Sequence, residues 1–381
     1  MTKKMKIIVI VLSVMVCSAL SFFAGCVLQT ESRSELEQTL DKVEEVWNVI
    51  YRDYVELDAL DAEELTEGAI RGIVDALDDP YSAYLDVESY ELSETHWEGR
   101  FEGIGAYVSV EDGNLVIIAP IDGSPAEEAG IRAGDKVLEV NGEPTSEMSL
   151  MDAILMIRGP RGTSVKLLIL HKEETDPVEI EIIRAEIEVP SVNFEMREDI
   201  AYLEITNFTE RTDEELVTVL REINAQGASG IVLDLRSNPG GLLSAVVDVA
   251  SRFIRDGVVV YVVDNQGKKT ASSISFKSVR TDLPLVVLVD EYSASGSEVL
   301  AGALQDHARA KIAGTTTYGK GSVNVPHKLK DGSGLYLTTA RWQTPEGHLI
   351  EGKGIEPDYP LELEGEDAIQ WAIDYLKSNV Q

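Results

Sequence analysis

The sequence is poor in cysteine and in histidine, the side chains that most often build disulfides and zinc sites. Its 381 residues contain two cysteines, Cys17 and Cys26, so the chain from Val27 onward has no thiol for a disulfide or a cysteine-ligated zinc. The five histidines are scattered without the spacing of a metal site. We therefore expect no metal and no organic cofactor. The lack of thiols also suits an oxidising, extracytoplasmic compartment.

Basic side chains are scarce as well: the sequence has 33 lysines and arginines against 67 acidic residues, which gives a net charge of −34. Phosphate binding needs clustered Lys and Arg, so this balance excludes a nucleic-acid-binding protein. It also disfavours adsorption to an anionic membrane surface. The acidic residues form no single block, which indicates a solvated surface. The length predicts several globular domains with a sizeable core.

The N-terminal segment, residues 1–28, has the pattern of a signal sequence. Lys3, Lys4 and Lys6 precede an uncharged apolar run over 7–23. The following Phe23-Ala24-Gly25-Cys26 resembles a bacterial lipobox, with Phe where Leu is usual. The segment is then either a lipoprotein signal with a lipid on Cys26 or an uncleaved signal anchor; a buried helix of a soluble protein is the remaining alternative. Either of the first two tethers the rest of the chain to the outer face of the membrane.

Residues 29–100 are predicted to be helical. Apolar residues recur there at three- and four-residue steps, which is the helical period, at Leu36, Leu40, Val43, Val46, Trp47, Ile50 and Tyr54. A second stripe runs from Leu65 to Leu77 and ends before Asp79-Pro80. Such helices pack on a larger body or pair between subunits, so a homodimer is one hypothesis.

Residues 101–186 change to short β-rich runs separated by glycine turns, with one helix over Leu150–Ile157. The loop Gly103-Ile104-Gly105-Ala106 resembles the carboxylate-binding loop of a PDZ domain, and further PDZ-like motifs follow in the same order (124–126, 129–131, 133–135 and 140–142). Successive backbone N–H groups in such a loop bind an anion, and the strand after it accepts a peptide as an added strand. The alternative is that these glycines only make hairpin turns.

Residues 187–381 alternate apolar strands with helices, which predicts an α/β domain around a covered, largely parallel sheet. The strands are expected at Ile200–Ile205, Ile231–Leu235, Val258–Val263, Leu285–Val289 and Lys311–Ala313. The helices are expected at Thr212–Ala225, Leu242–Ile254, Ser295–Asp306 and Asp367–Lys377. Thr212 and Glu215 have the spacing of a capping box at the start of the first of these helices.

Two loops of this domain carry residues suited to acyl transfer. The first, 234–241, ends in Gly240-Gly241 at a helix start, where backbone N–H groups can form an oxyanion hole; a tight strand–helix turn is the alternative. The second, 290–298, follows an apolar strand and places Ser295 at a helix N-terminus, the position of an activated nucleophile.

The base that activates Ser295 is not one of the histidines. His307 lies about 18 Å along the same helix, and the other histidines belong to no motif. A lysine with a pKa lowered by burial can serve, and the candidate is Lys320 in Gly319-Lys320-Gly321. The run 314–320 also approaches a phosphate-binding P-loop, but Gly321 stands where that motif needs Ser or Thr, and no helix follows.

Taken together, these motifs resemble the carboxyl-terminal processing proteases, the tail-specific Ser–Lys peptidases of family S41. The resemblance rests on separated motifs that agree in order, at 77–82, 293–298, 301–306, 319–323, 344–347 and 354–358, with the PDZ-like segment upstream. It implies an α/β protease core with a crotonase-like sheet. It also implies Ser295 as nucleophile, Lys320 as general base, and oxyanion donors from Gly296 and one of Gly240 and Gly241.

Two further positions follow from the same resemblance. Some descriptions of the family add an acid, here Asp306, but a helix starting at Ser295 carries it about 16 Å away, which favours a structural role. Family members often have Gln four residues after the lysine, where it orients the base. This chain has the shorter Asn324 there.

The predicted function is that of an extracytoplasmic, membrane-tethered serine endopeptidase that uses a Ser–Lys dyad. Its partners are protein substrates, whose exposed C-terminal tails the loop at Gly103, Ile104, Gly105 and Ala106 captures. The alternative is a non-catalytic PDZ adaptor with a decayed protease domain.

Overall fold

The computed structural model describes residues 39–379 apart from Asp112, Asp122, Ser149, Glu173 and Glu364. The chain divides into two compact units, with the boundary between Gly72 and Ile73. The predicted signal segment, 1–28, lies outside the described residues. Within the described part, no helix is long and apolar enough to cross a membrane.

The described part of the first unit is helical, as the apolar stripes predict. Helix α1 covers 39–53, a short 3₁₀ turn follows at Leu57–Ala59, and α2 covers Ala62–Asp75, so that its last three residues belong to the second unit. Asp61 begins α2, because its carboxylate oxygen accepts hydrogen bonds from the backbone N–H of Glu63 (2.7 Å) and Glu64 (3.2 Å).

The second unit contains seven helices and nineteen strands among its described residues. The helices are α3 Val87–Glu98, α4 Pro125–Glu128, α5 Leu150–Ile157, α6 Thr212–Gln226, α7 Leu243–Phe253, α8 Gly296–Asp306 and α9 Gly365–Asn379. The strands before residue 190 are β1 Ala83–Leu85, β2 Arg100–Gly103, β3 Ala106–Glu111, β4 Asn114–Pro120, β5 Lys136–Val140, β6 Glu143–Pro144, β7 Ser164–Leu170, β8 Val178–Ile183 and β9 Ala185–Glu188. The later strands are β10 Val192–Arg197, β11 Ile200–Ile205, β12 Gly230–Asp234, β13 Val258–Asp264, β14 Lys269–Ser273, β15 Leu285–Val289, β16 Lys311–Gly314, β17 Ser322–Lys328, β18 Gly334–Gln343 and β19 Tyr359–Pro360.

A six-stranded sheet forms the centre of the protease domain, with the strand order β10-β11-β12-β15-β16-β19. The strands from β11 to β19 are parallel, and β10 pairs antiparallel at the edge. Alternate side chains face opposite layers: Leu233 lies in the core beneath α6 to α8, and Val232 packs with the apolar residues of α9. The covered, largely parallel sheet predicted from the sequence is confirmed.

A second, antiparallel sheet was not predicted. Its strand order is β1-β18-β13-β14, and β17 also pairs with β18. The sequence placed β13 in the parallel sheet, but β13 pairs antiparallel with β14 and β18. Strand β1 lies inside the region predicted to be helical and pairs antiparallel with β18, from Ala83 opposite Tyr336 to Leu85 opposite Gly334. Residues 29–100 are therefore helical only in part.

The β-rich region forms a sheet with the order β3-β4-β5-β7-β8, to which β6 adds through β5. A two-stranded sheet, β2 with β9, joins the ends of this region. The sheet and α5 share a core that includes Ile117, Val140, Val165, Leu167 and Ala153. In the described part of the chain, β3 pairs on one side only, with β4. It therefore presents a free edge beside α5.

The predicted capping box at α6 is wrong. The hydroxyl of Thr212 accepts its hydrogen bond from the N–H of Thr209 (2.9 Å), not from the helix. The carboxylate of Glu215 accepts instead from the N–H and the hydroxyl of Ser191, both at 2.8 Å. The pair therefore fastens the start of α6 to the chain that enters β10.

Candidate active site

The loop between β15 and α8 presents Ser295 in an unusual backbone conformation. Ser295 has φ 52° and ψ −110°, and α8 begins at the next residue, Gly296. A non-glycine residue with positive φ is uncommon and is retained where the surroundings impose it. The side chain is half-buried at the N-terminal end of the helix, where the helix dipole favours negative charge.

Buried serines on either side hold this loop against the neighbouring one. The hydroxyl of Ser293 donates to the carbonyl of Leu235 (2.8 Å), and that of Ser297 donates to the carbonyl of Asn238 (2.9 Å). The carboxylate of Asp290 accepts from the N–H of Ser237 at 2.9 Å. These bonds fix the position of 290–297 relative to 234–241, the two loops that the sequence singled out.

The glycines of the first loop lie directly against Ser295. A Cβ atom at Gly240 would approach the nitrogen of Gly296 to 2.6 Å, and one at Gly296 would approach the nitrogen of Gly241 to 3.3 Å. The N–H of Gly240 donates to the side-chain oxygen of Asn238 at 2.8 Å. The N–H groups of Gly241 and Gly296 donate no hydrogen bond to any described residue. Of the two candidate glycines, Gly241 is thus the one with a free donor beside Ser295.

Glu298 joins the loop that carries Ser295 to the loop that carries Lys320, the lysine loop. Its side chain is 0% exposed, and burial raises its pKa against the opposing effect of the hydrogen bonds it accepts. Oε2 accepts from the N–H of Ser295 (2.8 Å) and of Lys320 (2.9 Å). Oε1 accepts from the hydroxyl of Thr317 and from the N–H of Gly319, both at 2.6 Å. These four bonds join the start of α8 to the connection that precedes β17.

Lys320 is half-buried in the connection between β16 and β17. Its backbone nitrogen lies within about 6 Å of that of Ser295, because both donate to the same carboxylate oxygen. The Nζ atom lies 4.9 Å from the ring centroid of Tyr81 and forms no hydrogen bond or ion pair with another described residue. Burial lowers the pKa of Lys320, although Asp79, Glu351 and Glu298 oppose this shift. A lysine in this state loses its proton more readily than one in water.

Asn324 lies on β17 but does not bond Lys320 in the described structure. Its Nδ2 atom donates to the carbonyl of Tyr81 (2.8 Å) and to the hydroxyl of Thr338 (3.0 Å). An amide nitrogen has two hydrogens, so these contacts use both. Sequence reasoning did not single out Tyr81 as a neighbour of the lysine.

Asp306 and His307 lie at the opposite end of α8 from Ser295. The helix has 11 residues, so Asp306 is about 16 Å from Ser295, and it accepts a hydrogen bond from the N–H of Glu346 (2.8 Å). The Nε2 atom of His307 lies 2.8 Å from the carbonyl of Val258. Neither side chain belongs to the group around Ser295, in keeping with the structural role favoured for Asp306.

The same end of α8 brings together possible metal ligands. In the described part of the chain, the ligand atoms of Asp306, Glu346 and His348 lie within 4.8 Å of one another, with the last two side chains exposed. Nothing connects this group to the chemistry around Ser295.

Ile104, Gly105 and Ala106 of the predicted peptide-binding loop line a groove of about 300 Å³ between β3 and α5, whereas Gly103 does not. Gly105 has φ 78°, and a Cβ atom there would lie 2.4 Å from that of Ser124. The N–H groups of Ile104 and Gly105 donate to no other described backbone group. Together with the edge of β3, they form a site suited to a carboxylate and an extended chain.

Comparison with known proteins identifies these regions independently. The family model of peptidase family S41 matches residues 199–361, that of the PDZ domain matches 96–170, and that of the activating protease CtpB N-terminal domain matches 23–89. The fold and these matches define a serine-type peptidase with a PDZ domain.

Relatives that align with nearly the whole chain identify its family. Carboxy-terminal processing protease CtpA of Bacillus subtilis (strain 168) is 36% identical over 368 residues, which are 95% of this chain and 78% of that protein. The carboxy-terminal-processing protease of Bartonella bacilliformis is 35% identical over 94% of this chain and 82% of its own length. The solved photosystem II D1 C-terminal processing protease superposes with a TM-score of 0.51 at 30% identity, covering 85% of this chain and 94% of that one. The chain belongs to the carboxy-terminal processing proteases, as its motifs predicted.

Proposed function

We propose that this protein cleaves protein substrates with a Ser295–Lys320 dyad after its PDZ domain has bound the substrate's C-terminal tail. The observation that carries the proposal is the carboxylate of Glu298, which bonds the backbone of both residues and so holds the two loops together. The lowered pKa of Lys320 supports a neutral amine that can accept the serine proton.

The chemistry follows from this arrangement. Neutral Lys320 removes the hydroxyl proton as the Oγ atom of Ser295 attacks the peptide carbonyl. The N–H groups of Gly241 and Gly296 stabilise the oxyanion that forms on the carbonyl oxygen, with Gly240 shaping the loop between them. The resulting lysine ammonium protonates the leaving amine, and water then hydrolyses the acyl-enzyme with Lys320 again as base.

The PDZ domain would select the substrate. The loop from Gly103 to Ala106 offers N–H donors to a terminal carboxylate, and the free edge of β3 can pair with the residues before it. A tail held there would bring the upstream chain toward Ser295.

The full-length protein tests this proposal with an unfolded reporter that ends in apolar residues. We expect cleavage by the wild type, loss of cleavage in Ser295→Ala and Lys320→Ala, and loss when a charged extension blocks the tail. Because the base must be neutral, kcat/KM should rise with pH through the lowered pKa of Lys320. A rate that is constant between about pH 6 and 9 would argue against a lysine titrating in that window.

The other outcomes are informative. Equal cleavage by all three proteins would contradict the dyad. Tail binding without cleavage by any of them would favour the non-catalytic adaptor.

We further propose that residues 1–28 tether the catalytic body to the outer face of the membrane, in view of the basic and apolar pattern before Cys26. Membrane fractionation of the full chain and of a chain lacking these residues tests the tether. Incorporation of labelled fatty acid into wild type but not into Cys26→Ala would identify the lipoprotein route.

A homodimer through the first unit is the remaining part of the proposal. Leu40, Val43 and Val46 of α1 are 54%, 44% and 58% exposed, so the predicted apolar stripe is largely uncovered in the described chain. Sedimentation of the wild type and of Val46→Glu should show a dimer that the charge disrupts; a wild-type monomer would contradict the pairing.

A further inference from the structure

The ring of Tyr81 covers the amine of the proposed base. The Nζ atom of Lys320 lies 4.9 Å from the ring centroid, within the distance at which an ammonium group and an aromatic face interact. Tyr81 comes from the turn between α2 and β1, far from Lys320 in sequence. A lysine side chain has four rotatable bonds, so a fixed surface against its end limits the positions that the amine can take.

The turn that carries Tyr81 is fastened to β17 and β18. The carbonyl of Tyr81 accepts from the Nδ2 atom of Asn324 (2.8 Å), and its N–H donates to Asp79 (3.3 Å). The hydroxyl of Ser82 donates to Asp79 (2.6 Å) and accepts from the N–H of Thr338 (3.1 Å). Each bond joins the turn to itself or to the antiparallel sheet, so the ring is attached to the same sheet that begins just after Lys320.

Asn324 takes part in this attachment rather than in a contact with the lysine. Its two amide hydrogens are used by Tyr81 and Thr338, and its oxygen accepts from the hydroxyl of Ser322 at 3.3 Å. The described structure thus connects Asn324 to Lys320 by way of Tyr81.

We propose that Tyr81 is a positioning residue for Lys320, and that Asn324 acts on the base through Tyr81. This inference rests on the Ser–Lys mechanism proposed above. The ring lies against the end of the lysine side chain and shields it from water.

The sign of the effect follows from the groups around the amine. Shielding from water favours the neutral amine, whereas the face of the Tyr81 ring and the carboxylates of Asp79, Glu351 and Glu298 favour the ammonium form. Burial is the largest of these effects, so the pKa of Lys320 is lowered. Burial is the main cause that raises the pKa of the Tyr81 phenol to about 12, and the neighbouring Tyr318 adds to it.

Two consequences follow. The Tyr81 ring is uncharged over the working pH range, so it acts on Lys320 through its apolar face. Loss of the ring should then return the pKa of Lys320 toward that of a solvated lysine.

The test compares Tyr81→Phe, which keeps the ring, with Tyr81→Leu, which removes it, in the full-length protein. We expect the rise of kcat/KM with pH to stay in place for Tyr81→Phe. For Tyr81→Leu the pH at which kcat/KM rises should increase by about one unit. At pH 7, kcat should fall about tenfold and KM should change little. Melting temperatures show whether each variant folds, and Tyr81→Met replaces the leucine variant if that one does not.

Asn324→Ala provides the second arm. If Asn324 acts through the ring, Asn324→Ala should move the pH profile in the same direction, and the double variant with Tyr81→Leu should be no worse than Tyr81→Leu alone. Losses that add in the double variant would overturn the indirect route. A pH profile that does not move, or moves down, in Tyr81→Leu would overturn the role of Tyr81.

The two proposals fail in different ways. If Lys320→Ala retains activity, the proposed Ser–Lys dyad is contradicted. If Lys320→Ala is inactive but Tyr81→Leu keeps the wild-type pH profile, only the proposed role of Tyr81 is contradicted.

Discussion

Glu298 shows how one side chain can hold an active site together. A buried carboxylate is costly unless it is hydrogen-bonded, and four donors from two loops satisfy this one. Glu298 lies three residues after Ser295 at a helix start, a position typical of a carboxylate that caps the helix N-terminus. The bonds to Thr317, Gly319 and Lys320 could not be predicted, because they depend on how β16 brings the lysine loop beside α8.

We therefore predict that Glu298→Gln destabilises the protein and impairs catalysis. Glutamine has nearly the same size, but its NH₂ group would face N–H donors in place of an acceptor oxygen. The free energy of unfolding should fall by about 3 kcal/mol, and kcat by at least about tenfold. Urea unfolding and steady-state kinetics measure the two effects.

Glu291→Gln is the matched control, because that exposed carboxylate on the same loop accepts one hydrogen bond, from the hydroxyl of Thr315 (3.1 Å), which the amide oxygen of glutamine can also accept. It should change neither quantity. Equal stability of the Glu298 and Glu291 variants would show that Glu298 does not hold the loops.

Secondary structure was predictable where a run of apolar residues ends in turn residues. Strands β11 and β15 and helix α5 have the predicted bounds. Strand β1 has three residues, which is too short for a periodic pattern, and its partner β18 lies some 250 residues away. The composition of strand β13 is typical of a buried parallel strand. The sequence gives no information on the direction of the neighbouring strands, and both of them are antiparallel to β13.

The groove between β3 and α5 leads to a prediction about substrate capture. Ile154 is half-buried on α5 and lines the groove. Ile154→Lys would place a charge where the apolar tail of a substrate is proposed to lie, so KM for an apolar-tailed reporter should rise by about tenfold or more. Cleavage kinetics measure this.

Leu150→Lys makes the same change at an exposed position of α5, outside the groove residues, and should leave KM unchanged. An increase in KM with both variants would indicate damage to the helix rather than to the groove.

The charge of the whole chain, −34, predicts how the protein responds to salt. Like charges repel across a folded body, and the screening length falls from about 30 Å at 0.01 M salt to about 8 Å at 0.15 M. The melting temperature should therefore rise by about 2–4 °C over this range, as scanning calorimetry in sodium chloride can show.

Potassium chloride should have the same effect, because screening does not depend on the identity of the cation. A melting temperature that falls with either salt would mean that ion pairs such as Arg252–Asp213 outweigh the repulsion.

The positive φ of Ser295 has a consequence for evolution. Glycine adopts φ 52° without a steric penalty, whereas serine and alanine do not, so Ser295 keeps the fold less stable than a glycine at this position would. Ser295→Gly and Ser295→Ala both lack the hydroxyl. The free energy of unfolding of the glycine variant should nevertheless exceed that of the alanine variant by about 1 kcal/mol. A lineage no longer under selection for proteolysis could gain stability through Ser295→Gly. Selection for catalytic turnover would instead retain the serine.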